Sequence, residues 1–322
     1  MNMLPEGVLN YIYDFCQISK DEVNEIIPKI ISSGSNSKSY CIKFKGENIL
    51  FLKFITDDNR KSIELYESDY SLSYSQVSIP NEFENLSFLS SKGFTSKGMS
   101  PNPLFYLKKY NCIGMNFVKG DLFSEKLSMK SLIDNLFKSS ISKNFEDISK
   151  YLVEFEKTLY NNITKPTKPF ANRIIKKELD SISSLSLSRK NIIAKTINDL
   201  IEDVQKIPVH FVSTDFKPHN IIVNGKIVGI DWGMCKKNGF AGWMASSFIR
   251  LVSFIDRFSI YKNSLKKNFT GNYINDSIIN RKTLLLSQIF ECIISFAGNN
   301  QNKYFNDFHS IYLDDLICRK MI

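Results

Sequence analysis

Two carboxylates and a carboxamide stand at the ends of apolar runs in "HFVSTDFKPHNIIVNGKIVGIDWG", residues 210–233. Asp215 follows the first run, Asn220 opens the second and Asp231 closes the third. The second and third runs flank Asn224-Gly225, the pair that a two-residue type I′ hairpin demands. A hairpin there makes Asn220 and Asp231 neighbours. A carboxylate beside a carboxamide oxygen is a hard-oxygen half-site for Mg2+, which keeps its other positions for water and phosphate oxygens. Asp215, on the loop entering the hairpin, is placed to take a hydroxyl proton beside such a metal. Lys217 adds positive charge where phosphate charge would develop, and Pro218 stiffens the loop. An Asp-x-x-x-x-Asn spacing alone recurs by chance; the hairpin and the apolar-Asp-Trp-Gly after it set this one apart.

These groups need a frame, and the hydrophobic periods supply one. Residues 5–30 read as two short helices, the second opened by a capping box from Ser19 to Glu22. The period then shortens: "KIISSGSNSKSYCIKFKGENILFLKFIT" reads as strand, small polar turn, strand, turn at Lys45-Gly46, strand. Residues 57–79 are polar, without a clear period, and read as a long connection. A helix begins after Pro80 and stops near Gly93, and "LFYLKKY" and "CIGMNFV" are extended. Beyond Gly120 helical patterns dominate, over 123–138, 144–162, 170–182, 188–206, 240–262 and 278–298, interrupted by the hairpin. The expected architecture is α+β in two lobes. A β-rich nucleotide-binding lobe covers 1–117, a larger helical catalytic and substrate-binding lobe covers 118–322, and the connector lies near 115–119.

Composition narrows the classes. A chain of 322 residues can bury a large core, and 25 Phe indicate that the core is well filled with rings. Six scattered cysteines, with no CxxC, fit reduced thiols in a cytoplasm rather than a disulfide frame or zinc site. Three histidines leave little for a His-rich metal centre. The net charge of +9 raises a nucleic-acid partner, but the lysines are spread among acids on solvated faces with no basic stripe, so none is expected. No signal segment opens the chain, and "LLLSQIFECIISFAG" is too short and too interrupted to span a bilayer.

The stretches "STDFKPHNIIV" and "VGIDWG" resemble the catalytic and metal loops of the protein-kinase-like superfamily. The nearer resemblance is to its small-molecule branch, the aminoglycoside phosphotransferases and choline kinases. That likeness implies Asp215 as catalytic base, Lys217 beside it, and Asn220 with Asp231 as Mg2+ ligands. "SSGSNSKSYCIKF" resembles the loop covering the nucleotide, with Gly34, Ser35 and Asn36 near the phosphates. Lys53 occupies the third-strand lysine position that contacts the α- and β-phosphates. Its partner should be a glutamate on the next helix. Glu82 and Glu84 are both available, and Glu82 shares the inward face of Leu86 and Leu89. "CIGMNFV" resembles the hinge, where backbone from Met115 to Phe117 would read the adenine edge.

The match runs from about residue 30 to 245, with departures. Ser213 stands where the family has a loop-bracing histidine, and the late acid that often braces this loop is not evident. No Ala-Pro-Glu follows the metal loop, so a peptide platform is lacking. His219 reads as a loop residue, and His210 and His309 as packing or surface residues. The resemblance implies an ATP-dependent kinase, GTP being possible, acting with Mg2+ on a hydroxyl of a small molecule such as a sugar, amino alcohol, glycan precursor or antibiotic. The alternatives are an effector-like protein kinase, which Lys217-Pro218 favours, and a non-catalytic nucleotide-binding module. Aminoglycosides are polycations, so the basic chain with Lys236 and Lys237 beyond the metal loop favours neutral or anionic acceptors.

Overall fold

The computed structural model describes residues 4–19, 22, 27–33, 37–55, 79–127, 139–255, 262–298 and 303–320. They divide into two compact units. One holds the described residues up to 55 together with 79–120 and Val228–Met234; the other holds 121–227 and those from 235 onward.

In the first unit, helix α1 (Glu6–Phe15) follows Pro5 and carries Glu6 in its first turn, where a carboxylate complements the helix dipole. Val8 and Ile12 fall four apart on one face and pack, with Leu4, against Tyr40, Ile42, Leu50 and Leu52. The capping-box residues do bond, the Glu22 carboxylate accepting from the Ser19 hydroxyl at 3.0 Å. The second helix expected up to residue 30 is nevertheless replaced by strand β1 (Ile27–Ser33). Pro28 cannot sit in a helix interior, and the neighbouring isoleucines favour strand. Proline is tolerated because β1 lies at the edge of the sheet, where its missing N–H breaks no ladder.

Strands β2 (Ser37–Phe44) and β3 (Glu47–Ile55) follow, joined through Lys45 and Gly46, both at positive φ. Helix α2 (Ile79–Ser91) precedes β4 (Pro103–Leu107) and β5 (Cys112–Asn116). The sheet order is β1-β2-β3-β5-β4, antiparallel throughout. Strand β3 is therefore central. Lys53 sits there opposite Ser39 on one side and Ile113 on the other.

The second unit opens with β6 (Asp121–Leu122) and α3 (Phe123–Lys126). Then come α4 (Ser139–Leu159), β7 (Thr164–Pro166), α5 (Thr167–Arg173), a π-helical segment over Ile174–Leu179, and α6 (Leu187–Asp203). Strand β8 (Lys206–Ser213) leads into the loop that carries Asp215, and β9 (Ile221–Val223) pairs with β6. The next strand, β10 (Ile227–Gly229), takes the chain back to the first unit. Strand β11 (Cys235–Phe240) lies beside β8, which also pairs with β7. Four helices complete the unit: α7 (Trp243–Ile255), α8 (Lys262–Asp276), α9 (Arg281–Gly298) and α10 (Lys303–Lys320).

The phenylalanines do fill this core. Phe123, Phe145, Phe248 and Phe269 form a chain of ring contacts with centroids 5.0–6.4 Å apart, distances at which edge-to-face and offset pairs are favourable.

Two expectations need correction here. The helix expected over 240–262 starts only at Trp243, because Cys235–Phe240 pairs with β8 as β11. The hairpin turn spans Asn224–Lys226 rather than two residues. Gly225 has φ 84° while Asn224 does not enter the left-handed region, so the turn is not type I′. The junction between β11 and α7 is held from three sides. Ala241 N–H donates to the Pro208 carbonyl, the Ser287 hydroxyl donates to the Ala241 carbonyl, and Gly242 N–H donates to Glu156, each at 2.8 Å. Gly242 has φ 83°, and a Cβ there would fall 2.7 Å from the tip of the Ile279 side chain, so a larger residue would be strained.

Candidate active site

In the first unit the sequence-selected residues meet around Lys53. Its ammonium lies 2.7 Å from Glu82 Oε2 and 2.7 Å from Asp231 Oδ1. Glu82, in the first turn of α2, is buried beneath the sheet, whereas Glu84 on the same helix is exposed. The segment carrying Asp231 is fixed by backbone bonds. Asn85 Nδ2 donates to the Trp232 carbonyl at 2.8 Å, the Trp232 indole donates to the Gly229 carbonyl at 2.8 Å, and Gly229 N–H donates to the Met99 carbonyl at 3.0 Å. The Trp232 backbone N–H also donates to Glu82.

Asp231 itself sits at φ 61°. That left-handed conformation is uncommon for a residue with a Cβ and typically costs about 1–2 kcal/mol. It is held here by the bonds on either side and by Lys53.

The electrostatics follow from one ammonium facing two carboxylates. Burial alone would lower the Lys53 pKa, but the charges of Glu82 and Asp231 outweigh it and hold the ammonium above its ordinary range. Glu82 is pushed up, first by burial and then by the like charge of Asp231, against the attraction of Lys53. The cluster thus keeps Lys53 protonated and aimed, and Asp231 is the more open of its two partners.

Met115 is buried at the end of β5, opposite Phe51 and Pro103, and Phe117 follows it partly exposed. Between them Asn116 ties this segment back to Asn102, its backbone N–H donating to the Asn102 carbonyl at 3.1 Å and its side chain accepting from the Asn102 N–H. Gly34, Ser35 and Asn36 lie outside the described residues.

In the second unit, β8 is buried nearly end to end and delivers Ser213, Thr214 and Asp215 to its rim. Asp215 N–H donates to the Ser213 hydroxyl at 3.3 Å, so this serine caps the loop that carries Asp215. Lys217 Nζ lies 2.7 Å from Asp215 Oδ2. Asn220, buried in the short 3-10 turn after Pro218, donates its amide to the Asp215 carbonyl at 2.9 Å and to Asp215 Oδ2 at 3.1 Å. Phe216 anchors the loop from below by stacking on Tyr151, centroids 5.7 Å apart.

Behind this loop Glu156 is almost wholly buried on α4. It accepts the Gly242 N–H and lies 3.8 Å from His210 Nε2, while His210 Nδ1 sits 2.7 Å from the Phe211 carbonyl. His210 and His309 are buried and His219 is exposed.

Sequence reasoning missed Asn85 and Glu156. Asn85 is three residues from Glu82 and so shares its helix face. Glu156 sits between Leu152 and Leu159 on an apolar face, where an acid without a purpose would be costly. Both signals were present.

A small antiparallel sheet carrying a buried lysine–glutamate pair, and a helical unit carrying an Asp-Lys-Asn loop at a strand end, together make the two-lobed protein-kinase-like fold. Solved structures bear this out. A choline kinase from Cryptosporidium parvum aligns with a TM-score of 0.59 at 11% identity, covering 98% of this chain and 95% of its own. A choline kinase, LicA, from Streptococcus pneumoniae aligns at 0.53 and 14% identity over 97% and 98%. A thermostable mutant of the aminoglycoside phosphotransferase APH(4)-Ia aligns at 0.58 and 10% identity over 95% and 98%. At such identity the likeness is one of fold. No protein-family model matches the chain, and no curated protein does. Among the described residues no helix is long and apolar enough to cross a membrane.

Proposed function

We propose that the protein is an ATP-dependent phosphotransferase that moves the γ-phosphoryl group to a hydroxyl of a small molecule, with GTP as a possible donor. The observation that carries this reading is the buried Lys53–Glu82–Asp231 cluster on a kinase-like sheet. A lysine held protonated by two carboxylates is suited to donating to phosphate oxygens. The structures that share the fold include proteins named as choline kinases and as aminoglycoside phosphotransferases, which phosphorylate small molecules.

The residues present fit magnesium. Asn220 spends its amide hydrogens on Asp215 and so presents its carbonyl oxygen elsewhere, and Asp231 keeps a second carboxylate oxygen beyond the one facing Lys53. In this reading Asn220 and Asp231 hold the ion, whose bound form would supply positive charge to the transferring phosphates. Lys53 steadies the α- and β-phosphates. Backbone at Met115 to Phe117 would meet the adenine edge, and Gly34, Ser35 and Asn36 the phosphates. Asp215 accepts the acceptor's hydroxyl proton as its oxygen bonds to the γ-phosphorus and the bond to the β-phosphate oxygen breaks, releasing ADP. Lys217 neutralises charge on the phosphoryl oxygens as they separate.

The test is a radiolabelled transfer screen with Mg2+·ATP and pools of cationic, neutral and anionic hydroxyl compounds, with casein as a protein acceptor. Label in a small molecule, lost in Asp215→Asn, is expected. Absence of nucleotide binding and of transfer to any pool would overturn the proposal, and label in casein alone would make it a protein kinase.

A further inference from the structure

Helix α2 holds the residue after Asp231 by its backbone. Asn85 Nδ2 lies 2.8 Å from the Trp232 carbonyl oxygen, a bond between residues 147 apart in the chain. A carbonyl oxygen only accepts, so the NH2 end of the Asn85 amide must face it. Three residues earlier on the same helix face, Glu82 pairs with Lys53, and Lys53 pairs with Asp231. One face of α2 therefore reaches Asp231 by two routes, through the lysine and through the Trp232 backbone.

Helix propensity does not ask for an asparagine here. Position 85 is interior to α2, half-buried, and stands beside the buried Leu86. Asparagine is a weak helix former because its amide competes for backbone groups, and leucine or alanine would serve the helix better. The amide of Asn85 is instead spent on another segment of the chain.

That segment is anchored on its other side as well. The Trp232 indole is buried and donates to the Gly229 carbonyl at 2.8 Å, and Gly229 N–H donates to the Met99 carbonyl at 3.0 Å. Asp231, at φ 61°, lies between these two gripped residues. A left-handed backbone at a residue with a Cβ persists only where its surroundings over-determine it. Asn85 takes part in doing so without carrying a charge, so it can be replaced without changing the charges around Lys53.

We propose that Asn85 is a positioning residue for Asp231, holding the Trp232 carbonyl so that the Asp231 carboxylate is presented to a divalent cation that binds with the nucleotide. This rests on the phosphotransferase reading, in which Asp231 is a metal ligand. Without the grip, Asp231 relaxes toward the ordinary backbone regions. Only molecules that keep the left-handed form then bind the ion, and apparent affinity falls by that fraction. The usual cost of such a backbone corresponds to a population change of about 5–30-fold.

Mn2+ binding to the full chain, followed by electron paramagnetic resonance with a non-hydrolysable ATP analogue present, tests this without turnover. Asn85→Leu keeps the volume and suits the helix, and should weaken Mn2+ binding about 5–30-fold. Affinity for the analogue without metal should not change. In steady-state transfer the KM for Mg2+ should rise by a similar factor, with kcat recovered at saturating Mg2+. Asn85→His, whose ring Nδ1 can donate from a similar place, should restore most of the Mn2+ affinity. Fluorine NMR of the chain labelled with 5-fluorotryptophan reads the grip directly, since the sequence has two tryptophans. The Trp232 signal should shift in Asn85→Leu and in Asn85→Ala, while the Trp243 signal stays in place. Equal Mn2+ affinity in the wild type and in a folded Asn85→Leu overturns the proposal, as does an equal loss of metal-free nucleotide binding. If Asn85→Leu and Asn85→Ala both fail to fold, Asn85 serves the fold and the proposal is likewise overturned. Failure of the phosphotransferase reading looks different: the wild type itself would bind no Mn2+ with the analogue, and the proposal would fall with it.

Discussion

Replacing Glu82 by glutamine probes the cluster around Lys53 with little change of shape. Two unit charges at the observed 2.7 Å attract by about 6 kcal/mol at an effective dielectric of about 20. Most of that gain is offset, because stripping water from a buried ion costs several kcal/mol. This is the effect that pushes Glu82 above the usual carboxylate range. Glutamine keeps an oxygen for the ammonium and avoids the desolvation cost, and Asp231 remains as counter-charge. What is lost is the charge on one hydrogen bond, so the free energy of unfolding should fall by about 1–3 kcal/mol. The functional loss should be of similar size. With one of its two anchors weakened, Lys53 is no longer aimed, and kcat/KM for ATP should drop roughly 10–100-fold, about 1.4–2.7 kcal/mol of transition-state stabilisation. Glu84 is exposed, and Glu84→Gln should change stability by no more than about 0.5 kcal/mol and leave ATP use intact. Urea unfolding and steady-state transfer with varied ATP measure both quantities. If Glu82→Gln keeps kcat/KM within twofold, or if Glu84→Gln lowers it as far, the role given to the buried pair is wrong.

Asp215→Asn should keep Mg2+·ATP affinity within a few-fold while kcat falls by about two to four orders of magnitude, the range of a positioned general base; a near-normal kcat in a folded variant would remove Asp215 from the chemistry. Asp231→Asn should keep the fold yet abolish Mg2+-dependent transfer, since a hard cation site loses its charge, and undiminished turnover would exclude it as a ligand. Lys236, held down to about 8 in the folded chain by burial and Arg173, with Lys177 adding to this and Glu178 opposing it, should make stability depend on alkaline pH. The folded state sheds this proton before the unfolded chain does. The unfolding free energy should therefore rise between pH 8 and about 10.5, by about 1–3 kcal/mol, and that rise should vanish in Lys236→Met. Lys53, whose pKa is raised, keeps its proton through that window.

The parts of the fold that sequence made legible are those with a single strong period. The hairpin run from β2 to β3, the helix bearing Glu82 and the apolar strand ending at Asp215 all have one face or both faces uniformly apolar. Helices α8 and α10 were not legible because polar residues interrupt their apolar faces. Phe269 and Tyr273 are a buried pair in an otherwise hydrophilic α8, and in α10 the buried Phe308, Tyr312 and Leu316 alternate with aspartates and a histidine. Strand β11, rich in Lys, Asn and Gly, owes its conformation to β8 beside it, which is tertiary pairing overriding propensity. In the site, the resemblance paired Lys53 with Glu82 and set Asp231 beside Asn220, but neither the approach of Asp231 to Lys53 nor its left-handed backbone left a mark in the sequence.

The junction at Ala241 and Gly242 sets an order of events during synthesis. Its hydrogen bonds come from Pro208 and Glu156, already made, and from Ser287, not yet made when the catalytic loop leaves the ribosome. At ~5–20 residues per second, translation from Asn220 to Ser287 takes roughly 3–13 s. For that interval the nascent chain carries every residue of the catalytic loop while lacking the helix that closes its platform. The junction thus completes its bonding late, on the arrival of α9 rather than on completion of the loop itself.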